Sequence, residues 1–71
     1  MAEEVKLQVI TDKATTSQPV YIGEAIAGVG EGSPYWRIKK KTTAGDVDKW
    51  SWANGSSKMD KVWDDRASYS Y

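Results

Sequence analysis

The fold of this chain is decided by residues 35–55, YWRIKKKTTAGDVDKWSWANG. Trp36 and Ile38 alternate with Arg37 and Lys39, which predicts a strand over residues 35–43. Residues 44–46 predict a turn, because glycine and aspartate are common there. A second strand follows over residues 47–53, with Trp50 and Trp52 on the same face. The stretch therefore predicts an antiparallel hairpin.

The same period-two alternation extends outward in both directions from this hairpin. Strands are predicted over residues 5–9, with Val5, Leu7 and Val9 facing inward, over residues 20–25 and over residues 67–71. Asn54-Gly55 predicts a tight turn with positive φ, because these residue types tolerate the left-handed region best.

One stretch departs from this alternation and favours a helical turn. Met59, Val62 and Trp63 have helical spacing, and Ser57 is a candidate N-cap. We therefore expect an all-β protein: a small five-stranded, partly open barrel or sandwich with one short helical turn before the last strand. Residues 1–71 form a single small β domain in this interpretation.

Composition excludes most catalytic chemistry. The 71 residues include neither cysteine nor histidine, which excludes thiolate nucleophiles, histidine general bases and zinc sites of the Cys/His kind. We therefore predict that the protein is not an enzyme and that it has no cofactor, metal or catalytic residue. No apolar run is long enough to span a bilayer, and the acidic start Met1-Ala2-Glu3-Glu4 is unlike a secretory signal, so no membrane partner is expected.

A core of tryptophans and aliphatic residues is expected for so short a chain. The residues predicted to be largely buried are Val5, Leu7, Val20, Ile22, Trp36, Ile38, Trp50, Trp52 and Trp63. A chain of this length without disulfides or metal gains stability by oligomerisation or by docking on a larger assembly. The composition thus favours a multi-copy subunit.

Two weaker motifs are interpreted as structural. Gly28, Gly30 and Gly32 lack the strand-loop-helix frame of a phosphate-binding loop. Asp64 and Asp65 would point to opposite faces of a strand, so we expect turn roles and a local ion pair with Arg66.

A basic strip with aromatic neighbours is the alternative functional signal. It consists of Tyr35, Arg37, Lys39, Lys40 and Lys41. Bases interleaved with aromatics are typical of small β-barrel modules that bind single-stranded nucleic acid. Against this, alternation separates Arg37 and Lys39 from Trp36 and Ile38, which places the aromatics in the core. The chain's zero net charge also argues against binding driven by counterion release.

Four blocks of the sequence resemble a known family. They are Tyr21-Ile22-Gly23-Glu24-Ala25, Trp36-Arg37-Ile38-Lys39-Lys40, Trp52-Ala53-Asn54-Gly55 and Val62-Trp63-Asp64-Asp65-Arg66-Ala67-Ser68-Tyr69. Together they resemble very short proteins that tailed bacteriophages encode among their virion-structure genes. The resemblance covers residues 20–71 and is most specific in the last block. It departs at Met59, where an aromatic is expected, and does not extend to residues 1–19.

The resemblance implies a non-enzymatic structural component of a tailed phage virion, such as a capsid decoration or cement protein or a tail or collar accessory subunit. Other virion proteins would be its partners, as a homo-oligomer or multi-copy subunit, in the virion and in the host cytoplasm during assembly. We expect a flexible glycine-rich loop and the chain's terminal strand edges to make these contacts. The candidate interface residues are Gly28, Val29, Gly30, Glu31, Gly32, Ser33, Pro34, Tyr69 and Tyr71.

Overall fold

Four antiparallel strands form one open sheet. The computed structural model describes residues 6–13 and 20–71. The strands are β1 (Leu7–Asp12), β2 (Tyr21–Ile26), β3 (Arg37–Ala44) and β4 (Val47–Trp52), and each pairs with the next in chain order. The all-β prediction is confirmed. Within residues 6–13 and 20–71 the sheet has four strands where five were predicted, and β1 and β4 are its two edges.

The β3–β4 hairpin turns tightly. Ala44 pairs with Val47, so the connection is the two residues Gly45 and Asp46. Gly45 has a φ of 60°, which fits the first central position of a type II′ turn. The turn is thus one residue shorter than the predicted 44–46, and Ala44 belongs to β3.

The chain's last residues form a layer on the sheet where a fifth strand was predicted. A 3-10 helix spans Trp63–Ser68, and residues 69–71 follow without strand pairing. The helical turn predicted from Met59, Val62 and Trp63 therefore lies further along the chain, and Ser57 does not cap it. Lys61 instead bridges to Trp36 through two backbone hydrogen bonds of 2.9 Å.

Asn54 fixes this final layer to the end of β4. Its backbone N–H donates to the Ser70 carbonyl at 2.7 Å, and its side-chain oxygen accepts from the Ser70 N–H at 3.1 Å. Asn54 and Gly55 have φ values of 53° and 71°, which confirms the predicted left-handed turn. These bonds hold Ser70 beside the residues that follow β4, and residues 69–71 form no strand pairing.

Arg66 connects the layer to β1. Its Nε donates to Asp12 at 2.9 Å, Nη1 donates to the Trp63 carbonyl at 3.1 Å, and its guanidinium lies 4.6 Å from the Trp63 ring centroid. The predicted local pairing with Asp64 or Asp65 is wrong, since the 3-10 helix directs Arg66 back over Trp63.

The core lies between this layer and one face of the sheet, called here the packed face. The buried residues among those described are Gly23, Ala25, Trp36, Ile38, Ala53, Trp63 and the polar Lys61. Ile10, Tyr21, Val29, Tyr69 and Tyr71 pack around the apolar cluster. Burial of Trp36, Ile38 and Trp63 was predicted.

Other predicted core residues lie outside this cluster. Leu7 is 46% exposed and Trp50 is 41% exposed, while Val20, Ile22 and Trp52 are half-buried. In β1, Ile10 faces the core because it pairs with Gly23, and alternation then turns Leu7 and Val9 to the other side. The side chain of Gln8 faces the packed side instead and donates to the carbonyls of Ile26 and Val29. Val5 lies outside the described residues.

Gly23 allows the core to close. A Cβ at this position would lie 2.5 Å from Cε3 of Trp63 and 3.2 Å from Cε3 of Trp36. The ring centroids of Trp36 and Trp63 are 6.0 Å apart. A glycine inside a strand commonly marks such a close approach.

We expect Trp63→Ala to destabilise the protein by roughly 3–5 kcal/mol, because it removes a large buried ring and the platform under Arg66. For so short a chain this is enough to abolish cooperative unfolding. Circular dichroism during thermal unfolding measures it. A midpoint close to that of the parent would contradict the packing described for this ring.

Gly23→Ala should cost about 1–3 kcal/mol, because the indole of Trp63 must shift to admit one methyl group. Gly30→Ala is the matched control: it adds the same methyl group where the nearest atom is 3.9 Å away and φ is not positive. Urea titrations of both variants compare their free energies of unfolding. Equal values would show that Gly23 does not limit the approach of the ring.

Candidate binding surface

The second face of the sheet, called here the open face, carries a mixed apolar and basic surface. Pairing register and alternation place these residues on it: Leu7, Val9, Thr11, Ile22, Glu24, Ile26, Arg37, Lys39, Lys41, Thr43, Asp48, Trp50 and Trp52. Several large apolar side chains remain exposed, including Val9 at 58% and Ile26 at 53%. An antiparallel sheet more often presents polar residues on its solvated face, so this surface is a candidate for binding.

The half formed by β1 and β2 carries four aliphatic side chains, together with Thr11 and Glu24. Leu7, Val9 and Ile26 are exposed and Ile22 is half-buried. Leu7 pairs directly with Ile26, so their side chains are cross-strand neighbours. This group is called the aliphatic half below.

The half formed by β3 and β4 alternates cations with indole rings and is called the cation–aromatic ladder. Arg37 lies 5.7 Å from the ring centroid of Trp52, and the Lys39 ammonium lies 5.4 Å from the centroids of both Trp50 and Trp52. Lys41 is paired with Trp50 across the strands. Cations at these distances are attracted by the ring quadrupole, and this attraction holds the cations of β3 against the indoles of β4.

Two acidic side chains adjoin the ladder. Glu24 accepts from Arg37 Nε at 2.6 Å, and Asp48 accepts from the Thr43 hydroxyl at 2.6 Å. Glu24 thus offsets the charge of Arg37, while Lys39 sits between the two indoles. Sequence analysis did not identify Glu24 as part of this surface, although period-two alternation places it on the face opposite Gly23 and Ala25.

The predicted basic strip is divided between the two faces. Arg37, Lys39 and Lys41 lie on the open face, and Tyr35, just before β3, is 59% exposed. Lys40 lies on the packed side, where its ammonium is 5.7 Å from the Tyr21 ring centroid and 5.8 Å from that of Tyr71. The expectation that the tryptophans fill the core away from the bases holds for Trp36 and is wrong for Trp50 and Trp52.

The glycine-rich loop predicted as an interface is bound to the core. Trp36 Nε1 donates to the Gly30 carbonyl at 2.9 Å, and the Asp64 N–H donates to the Glu31 carbonyl at 3.2 Å. Within residues 28–34, only Val29 and Ser33 are half-buried and the others are exposed. The loop is held in place by these bonds while its outer surface remains accessible.

The two tyrosines predicted as interface residues are half-buried and use their hydroxyls internally. The Tyr69 hydroxyl accepts from the Val62 N–H at 2.8 Å, and the Tyr71 hydroxyl donates to the Arg66 carbonyl at 2.7 Å. Tyr71 also packs edge-on against Tyr21, with ring centroids 5.7 Å apart. Both tyrosines therefore contribute to the layer over the core.

Ionisation is perturbed at two groups near these elements. Burial, assisted by the neighbouring Tyr21 and Tyr69, raises the pKa of Tyr71 to about 12. The hydrogen bond from the buried Lys61 lowers the pKa of Asp60 below its usual 3.8.

No other type of site is found within residues 6–13 and 20–71. These residues contain no group of three acidic side chains that could hold a metal ion, and they enclose no pocket. Among the helices described, none has the length and apolar character that crossing a membrane requires.

Comparison with family models, with curated proteins and with solved structures finds no significant match.

The raised pKa of Tyr71 predicts a late-titrating tyrosine. The fold favours the protonated phenol, so this contribution to stability is complete below pH 10 and is lost as the pH rises towards about 12. Tyrosinate absorbance should show one component near pH 12. Tyr71→Phe should remove it, whereas Tyr35→Phe, at an exposed position that is not among the causes of the shift, should leave it. A late component that persists in Tyr71→Phe would contradict the assignment.

Proposed function

We propose that this protein is a non-enzymatic, multi-copy structural component of a tailed phage virion, bound to neighbouring virion proteins. It is present in the host cytoplasm during assembly and in the finished particle. The proposal is supported by the resemblance of four sequence blocks to short phage proteins and by a sheet face whose aliphatic half is exposed.

The positions of the four blocks favour a resemblance in architecture. Gly23, Trp36 and Trp63 come from three different blocks and meet at one close contact. Asn54, from the remaining block, fixes the end of the chain by two hydrogen bonds. A protein that shared these blocks would therefore share the core and the layer over it.

The single observation that carries the proposal is the aliphatic half. Val9 and Ile26 are each more than half exposed, beside a β1 edge that has no strand partner among the described residues. Exposed apolar area next to an open edge is hazardous in a free monomer and useful in an assembly. We assign this surface and the outer side of loop 28–34 to contacts with virion proteins.

Mass spectrometry of purified particles tests the proposal. The protein should be present in particles of the phage that encodes it, at many copies each. Its absence from mature particles, together with its presence in infected cells, would overturn the proposal.

Variants test the assigned surface. Ile26→Lys places a charge in the aliphatic half, opposite the apolar Leu7, and should reduce incorporation several-fold, because a buried unpaired charge opposes docking. Ala67→Lys adds the same charge at an exposed position in the final layer and is the matched control. Both should accumulate in cells as folded protein. Equal incorporation would remove the aliphatic half from the contact, while leaving the protein in the particle.

A further inference from the structure

We propose that the cation–aromatic ladder is a binding site for single-stranded nucleic acid. This goes beyond the proposed role in the virion and does not depend on it. Two indole rings, of Trp50 and Trp52, and two cationic side chains, of Arg37 and Lys39, lie together on the open face. The cationic groups are within 5.7 Å of the ring centroids.

The indole rings favour a nucleic acid over other anionic ligands. An acidic peptide would need only the cations, whereas nucleobases stack on indole faces, with about 1–3 kcal/mol per base. Single strands bind small sheets in this way, with unstacked bases on aromatics and phosphates on lysine and arginine. A duplex keeps its bases stacked on one another, so it offers no ring face to the ladder.

Spacing along β4 suits two successive bases. Trp50 and Trp52 are alternate residues on one strand, so they stand about 7 Å apart on the same face. The Lys39 ammonium lies within 5.4 Å of both ring centroids. A base that stacks on either ring displaces this ammonium, and the flexible lysine stem allows it to move to the adjoining phosphate.

Local charge sets the expected salt dependence. Arg37 is paired with Glu24 at 2.6 Å, and Asp48 adds a second negative charge to the face. The ladder therefore neutralises only one or two phosphates, and each contributes a slope of about −0.7 in log K against log salt for a single strand. Stacking supplies most of the affinity, and salt weakens binding only gradually.

Fluorescence anisotropy with a labelled thymidine decamer and the full-length chain tests the site. Trp50→Ala should weaken binding roughly tenfold, with an unchanged salt slope, because it removes a stacking surface. Lys39→Ala should weaken binding and reduce the salt slope by about 0.7. Lys49→Ala is the matched control: it removes the same charge from the same hairpin, at an exposed position that pairing places on the packed side. Its affinity should change less than twofold.

Three results would overturn the inference. The first is a flat titration at low salt with the unmodified chain. The second is equal weakening by Lys39→Ala and Lys49→Ala, which indicates diffuse attraction to a polyanion. The third is competition by polyglutamate or by a duplex as effective as that by the unlabelled decamer. Thermal unfolding of each variant confirms that it is folded. These measurements use purified protein. A negative result would therefore overturn the nucleic-acid site without affecting the proposed role in the virion.

Discussion

The close approach of Trp63 to Gly23 is the constraint on which the rest of the structure depends. One β-carbon at residue 23 would overlap the indole at 2.5 Å, so the ring can lie on the sheet only where the strand has no side chain. Once Trp63 is seated, Trp36 packs beside it and Arg66 covers it. Arg66 then reaches Asp12 in β1. The absence of a side chain at Gly23 thus allows the final layer to contact β1, β2 and the residue before β3.

This layer also explains why the sheet stays open. A barrel would require the end of the chain to pair with an edge strand, but Asn54 holds Ser70 through two hydrogen bonds and the tyrosine hydroxyls bond inward. The final layer covers the part of the packed face around Gly23 and Ile38, and among the described residues neither β1 nor β4 has a further strand partner. The open face keeps its apolar and aromatic residues exposed, and both the proposed docking surface and the proposed nucleic-acid site follow from this one-sided cover.

Hairpin register decides which residues form the ladder. The two-residue turn at Gly45-Asp46 pairs Lys39 with Trp52 and Lys41 with Trp50. A turn one residue longer would shift the pairing by one position and bring Trp50 and Trp52 to the side of Trp36 and Ile38, as sequence analysis expected. The strands and the glycine-containing turn were predictable. A predicted turn of two residues would have placed Trp50 and Trp52 on the same face as Lys39 and Lys41.

Sequence alone determined the all-β class, the alternation of Trp36 and Ile38 against Arg37 and Lys39, and the left-handed turn at Asn54-Gly55. These features depend on neighbours within a few residues, which local backbone preferences and period-two patterns describe. Tertiary structure decided the number of strands, the face of Leu7 and Val9, the partner of Arg66 and the exposure of Trp50. Each of these depends on contacts between distant segments, above all the space that Gly23 leaves for Trp63, and no local pattern encodes which side of a strand another segment will cover.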